Sequence, residues 1–242
     1  MGFLAKVVDY LTSGSNWSGP QGFLVQLTNQ VEISAAAVAC ATFFGVALGA
    51  FLGHSGKGGF VVVNSANAAR AVPSFALVTI IAIQPAVIRL QNGPFVATLL
   101  AMVALAVPPV LTNAYVGVRD VDPAVRTAAL AMGMKPAQLL GRVELPLALP
   151  LVMAGVRTAA VEVVATATLG AYVGVTDLGF NIFAGLSTRD YVETFSAAVL
   201  VAALALVVDV LMAAGAYALS PKGLRALAGR PRREAATVVA PR

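Results

Sequence analysis

From residue 195 to 219 the chain reads FSAAVLVAALALVVDVLMAAGAYAL, with one charge, Asp209. A helix needs about 20 predominantly apolar residues to cross the ~30 Å hydrocarbon core of a bilayer. Four further stretches meet or approach that length: residues 34–52, a segment within 59–88, 94–116 and 146–173. The second is interrupted by Arg70 and Pro73, so a broken or partly re-entrant helix is the alternative there. Spans of a β-barrel would be strictly alternating and only about 10 residues long, which these uniformly apolar runs are not. With 59% hydrophobic and 11% charged residues, against roughly 25% charged in soluble domains, the chain reads as an all-α, polytopic membrane protein with about five spans.

The basic residues orient those spans. With the amino terminus outside, Lys57, Arg119, Arg126, Lys135, Arg142, Lys222, Arg225, Arg230, Arg232, Arg233 and Arg242 fall inside. Only Lys6, Arg89 and Arg189 fall outside, and basic residues accumulate on the cytoplasmic side. This divides the chain into an extracytoplasmic segment 1–30, a membrane domain 31–220 and a basic cytoplasmic tail 221–242. The tail suits an anionic lipid surface and ends in a Pro/Ala-rich stretch that reads as disordered. The net charge of +5 therefore speaks for topology and not for nucleic acid. No basic start, apolar core and small-residue cleavage site follow one another within residues 1–30, so no cleavable signal peptide is read there.

Between the third and fourth spans lies VDPAVRTAALAMGMKPAQLLGRVELPLALP, residues 121–150, with three basic and two acidic residues. Asp122-Pro123 can cap and start a helix. Val125, Ala128, Ala129 and Met132 then recur at helical spacing. Gly133 permits a bend, Lys135-Pro136 can restart a short helix, and Pro146 can open the next span in its first turn. The expected product is a helix–glycine–helix elbow beneath the membrane. An amphipathic helix resting on lipid is the alternative, but such anchors carry large apolar side chains, and small ones favour close approach by another protein.

Few residues here carry chemistry of their own. A phosphate-gripping loop requires Gly, four residues, then Gly-Lys-Ser/Thr; Gly56-Lys57 is followed by Gly58 and preceded at the required distance by Phe51. No nucleotide, metal or other cofactor is therefore expected on this chain. Cys40 is single and reads as a small buried residue; His54 is the sole histidine, which argues against a metal cluster or histidine-based triad. Arg157, Glu162 and Asp209 lie within spans, where charges face the bundle interior, pair or line a solute path. Arg157 and Glu162 are the pairing expected from proximity in sequence. Pro73, Pro108 and Pro109 are candidate kinks, Tyr115 and Tyr172 candidate interface anchors, and residues 174–185 a candidate outer lid or docking loop. A secondary transporter is the rival reading, although no internal repeat of the kind such carriers show is evident. A non-transporting membrane anchor is a third.

The 121–150 stretch resembles the EAA loop of permease subunits in ATP-binding-cassette importers: Glu-Ala-Ala, three residues, Gly and, further on, an aliphatic residue before Leu-Pro. Ala128, Ala129, Gly133, Leu145 and Pro146 match that pattern, and Thr127 stands in place of its glutamate. Flanking stretches, among them VPSFALVTI, LTNAYVGVRDVDP, GVTDLGFNIFAGLSTRD and ALSPKGLR, are similar to the glycine betaine/choline/carnitine, or osmoprotectant, branch. Arg70 and Thr112 replace the Gln and Arg common there. The resemblance implies a type I importer permease fold and a coupling loop, residues 118–146, seated on a cytoplasmic ATPase dimer that holds ATP and magnesium. It further implies a second permease subunit, identical or sister, and an extracytoplasmic solute-binding protein. The implied cargo is glycine betaine, choline, carnitine or proline betaine, with another small solute such as an amino acid as the alternative. The implied place is the bacterial cell membrane.

Overall fold

The computed structural model describes residues 2–60, 62, 64 and 71–219, and every described element is helical. An amphipathic helix α1 (Phe3–Thr12) and a 3-10 turn (Gly14–Trp17) lead into α2 (Phe23–Ser55). Two short helices follow, α3 (Ser74–Ala82) and α4 (Pro85–Ile88), then the long α5 (Gly93–Arg119). The polar insert forms α6 (Pro123–Ala131) and α7 (Pro136–Leu139), which continues through a π-helical turn (Leu140–Glu144) into α8 (Leu145–Ala167). A 3-10 segment (Thr168–Val173), α9 (Gly179–Thr188) and α10 (Tyr191–Leu219) complete the described chain.

Among the described residues, four helical stretches are long and apolar enough to cross a membrane: Phe23–Ser55, Gly93–Arg119, Pro136–Val173 and Tyr191–Leu219. The first begins at Phe23, well before the apolar run at 34–52, because Gln26 and Gln30 are absorbed into a buried hydrogen-bond network and do not end the helix. The second expected span is broken. Pro73, which lacks an N–H, precedes α3, and Pro85 starts α4, so the run from residue 74 to 88 is two short helices. Arg70 and the tail from residue 220 lie outside the described residues.

The core is a three-helix contact of α2, α5 and α8, filled mainly by Ala and Val side chains such as Ala41, Val110 and Val163, with Met102 among them. Lipid tails supply no hydrophobic drive between helices, so close approach by small residues must do so. Gly45, Gly49 and Gly53 form one face of α2. A Cβ on Gly49 would lie 2.5 Å from the Leu111 carbonyl oxygen, and one on Gly53 2.7 Å from that of Tyr115. Gly155 of α8 abuts Asn113 and Pro109 of α5 in the same way. Pro108 and Pro109 sit inside α5 without ending it. Tyr115 is 6% exposed, with Arg119 over its ring, so it is not presented as an interface anchor; Tyr172 is exposed, its ring 4.6 Å from Phe75.

Candidate functional site

The ion pairs among the described residues fall at two places: the elbow at one end, and a groove between α8 and α10.

The elbow folds as its sequence dictates. The Asp122 carboxylate accepts the Ala124 N–H (2.8 Å) and caps α6. Gly133 bends the chain with φ +84°, a left-handed conformation that glycine adopts at no steric penalty. Gln138 accepts the Lys135 N–H (2.9 Å) at the start of α7. The elbow's second helix runs on into the span whose first turn the sequence placed at Pro146. Pro146 has no N–H to give and its ring crowds the carbonyl four residues back; the wider π-turn at Leu140–Glu144 lies directly before it, so α7 and α8 run on as one rod.

The expected apolar face of α6 is divided. Ala129 is turned inward (3% exposed), while Val125, Ala128, Leu130 and Met132 face outward, Met132 at 74%. Thr127 is exposed, and its hydroxyl donates to the Pro123 carbonyl (2.9 Å) on its own helix. Gly133 is exposed, with open space where a side chain would go. Leu145 and Pro146 are half-buried at the foot of α8, Leu145 against the core.

Glu144, which sequence reasoning passed over, is the buried centre of this end. Its carboxylate lies 2.6 Å from His54 Nδ1, on the last turn of α2, and 3.0 Å from Arg126 Nε, on α6. An ionised carboxylate can only accept, so in that form of Glu144 the bond is donated by His54 Nδ1. The Arg126 approach is Coulombic, since its N–H is out of line with the oxygen. Arg126 Nη2 also donates to the Val118 carbonyl in the last turn of α5, and Arg119 donates to Gly56 O (2.9 Å). One loop residue is thereby tied to α5 and, through Glu144, to α2 and α8. Glu144 and His54 are ninety positions apart in sequence; a lone acidic residue beside a helix-starting proline was the available signal.

In the groove, Arg157 pairs with Asp209 and not with Glu162. The pair is bidentate, Nε to Oδ1 and Nη2 to Oδ2, each 2.6 Å. Five residues along a helix turn two side chains to different directions, whereas α8 and α10 lie side by side. Glu162 is exposed, and no ion pair reaches its carboxylate among the described residues. The groove measures about 720 Å³ and has Pro150, Met153, Ala154 and Val161 as apolar wall.

At the opposite end the buried hydrogen bonds are made by neutral side chains. Gln30 Nε2 donates to Val164 O (2.7 Å) and its Oε1 accepts the Leu178 N–H (3.3 Å); Gln26 donates to Asn181 (2.9 Å). Asp177 is buried there; its Oδ1 accepts the Gly179 N–H (2.8 Å) and its Oδ2 has no partner. Burial pushes its pKa up to about 8, against the pull of hydrogen bonds from the Gly179 and Ala171 backbone. No group of three or more metal-ligating side chains occurs among the described residues.

This chain is similar to proteins of known role. Residues 41–225 match the family described as binding-protein-dependent transport system inner membrane component. It is 32% identical over 204 residues to the choline transport system permease protein OpuBB of Bacillus subtilis, covering 84% of this chain and 91% of that one. It is 36% identical over 207 residues to the carnitine transport permease protein OpuCB of Listeria monocytogenes, covering 84% and 90%. Among solved structures, an amino acid ABC transporter with histidines superposes with a TM-score of 0.64 at 17% identity, covering 91% of this chain and 98% of that one. The MetNI methionine ABC transporter, inward facing, gives 0.65 at 19% identity, covering 79% and 94%. The helical fold is that of type I importer permeases. The chain is a multi-pass membrane permease of the binding-protein-dependent transport system inner membrane component family, in its glycine betaine/choline/carnitine branch.

Proposed function

We propose that this protein forms the membrane path of an ATP-driven importer for osmoprotectants: glycine betaine, choline, carnitine or proline betaine. The observation that carries this reading is the elbow. Its outer face presents Val125, Ala128 and Met132, while Arg126 and Glu144 fasten the inner face to three spans. A rigid input surface tied to several helices is what a two-state pump requires, since one partner must bias an equilibrium that the other feels. The names of two relatives, a choline and a carnitine permease, support the cargo.

In this reading residues 118–146 dock on a cytoplasmic ATPase dimer, and ATP and magnesium are held by that partner, not by this chain. The end with Lys57, Arg119 and Arg126 faces the cytoplasm and the amino terminus faces outward, in keeping with the placement of positive charge. A second permease, identical or sister, closes the path. An extracytoplasmic binding protein delivers solute at the opposite end, where α1, α9 and residues 174–178 lie. The groove holding Arg157, Glu162 and Asp209 belongs to the path.

The test replaces Gly133 with Phe. Space is open there, so the effect comes from the strained φ of +84° and a reshaped elbow. Betaine or choline uptake by the reconstituted complex, and capture of the ATPase by the permease, are expected to fall by about tenfold or more, the equivalent of 1.4 kcal/mol. Uptake and ATPase capture equal to those of the wild type would reject the docking assignment.

A further inference from the structure

We propose that Glu162 is a subsite for a quaternary ammonium cation in the groove between α8 and α10, and that it favours cationic over zwitterionic solutes. The proposal rests on the importer reading above.

Both ends of the groove's ion pair are already satisfied. Arg157 engages both oxygens of Asp209 at 2.6 Å, so neither group has its main valence free for a solute. Glu162 lines the same groove, is exposed and has no ion-pair partner among the described residues. With one positive and two negative side chains, the groove carries a net charge of −1. All three lie inside helices that are apolar enough to cross a membrane, and a charge set against acyl chains there is expensive. This face therefore meets water or protein, not lipid.

The chemistry of the wall selects the ligand. A trimethylammonium group has no N–H to donate. It is held by charge and by contact of its methyl groups with apolar surface, not by directed hydrogen bonds. The groove provides that combination: Met153, Ala154 and Val161 as wall and one free carboxylate. A metal ion would want several oxygen ligands, which the groove lacks. An anionic solute is repelled by the net charge. A zwitterion gains at its ammonium end and loses at its carboxylate end, so choline is favoured over glycine betaine. At about 720 Å³ the groove is roomy enough for a solute to pass, which suits transient holding.

The test uses the reconstituted permease with its ATPase and binding protein. In E162Q, choline uptake at saturating binding protein is expected to fall about tenfold. Glycine betaine uptake should fall far less, ATPase stimulation by the loaded binding protein should persist, and E162D should keep most choline uptake. A second measurement needs only the folded permease: E162C, in a background where the native cysteine is removed by C40A, is treated with a trimethylammonium-ethyl methanethiosulfonate. Reaction that choline slows is expected. Absence of reaction, or choline uptake in E162Q equal to wild type, overturns the subsite. Failure of the wild-type complex to import any osmoprotectant would instead overturn the importer reading.

Discussion

The two ends of the bundle each bury a carboxylate, and they solve the problem in opposite ways. Glu144, beneath the elbow, is fully buried between His54 at 2.6 Å and Arg126 at 3.0 Å. Asp177, at the far end, meets no cation among the described residues; it is held by the backbone amides of Gly179 and Ala171, and the buried bonds next to it in the chain, such as Leu178 N–H to Gln30, are neutral. A buried charge is tolerated when paired, and otherwise the group keeps its proton. The elbow end is thus held by charges drawn from separate helices. The far end is held by short-range hydrogen bonds that lock one arrangement. In the importer proposed above, input of motion and fixed scaffold would thus be separated along the bundle axis.

The largest test of this contrast is at the elbow. Removing one partner of a buried ion cluster leaves an uncompensated charge and costs about 3–5 kcal/mol. Glu144→Ala strands Arg126 and His54 together. The thermal midpoint of the purified permease is expected to fall sharply and uptake to be lost. Arg126→Met, which also removes the bond to Val118 O, should fall nearly as far, and the double variant should fall by less than the sum of the singles. Additive losses would mean that the cluster does not act as a unit.

At the far end the expected signature is pH dependence. The folded Asp177 carboxyl titrates near 8, whereas an exposed one in the unfolded chain titrates near 4. Between those values the folded protein holds a proton that the unfolded chain releases, so this group's contribution is fully present below pH ~4 and is lost as pH rises towards 8. At roughly 1.4 kcal/mol per unit, the stability of the wild type should decline by a few kcal/mol from pH 5 to pH 8. Asp177→Asn should flatten that slope whatever it does to the absolute level. A wild-type profile without slope over this window would refute the protonated state. Gln30→Ala is expected to do less, about 1–3 kcal/mol, by stranding Val164 O and the Leu178 N–H, with no change in the pH profile.

Legibility in the sequence followed the range of the interaction. Helix existence was set by apolar runs, and the elbow by Asp122-Pro123, Gly133 and Pro136, whose effects are confined to neighbouring residues. Partners distant in sequence stayed hidden. Arg157 finds Asp209 fifty-two positions on, and nothing in the local pattern favoured it over Glu162. Gly45, Gly49 and Gly53 stand at a regular spacing of four, yet the spacing does not reveal that α5 is their partner. The burial of Asp177 depends on α2 and α9 closing over a polar loop, which no hydropathy run announces. Both carboxylates of the comparison were therefore beyond local reading, while the surface they support was not.

Thr127 supplies the smallest expected effect and tests whether the elbow's charge lies in its buried clamp or on its face. The family pattern has glutamate there; here the side chain is exposed and bonded only to its own helix. Thr127→Glu adds an acidic group to that face without touching Arg126's contacts to Glu144 and Val118 O. Exposed substitutions shift stability by about 0.5 kcal/mol or less, and a surface ion pair with an ATPase residue contributes about 0–1 kcal/mol. The thermal midpoint should therefore hold, and ATPase affinity should change by no more than about fivefold, with any gain fading at high salt. If this one exposed position instead moved uptake as much as Glu144→Ala, coupling would reside in charge on the docking face. The buried clamp would then be scaffold, like the opposite end.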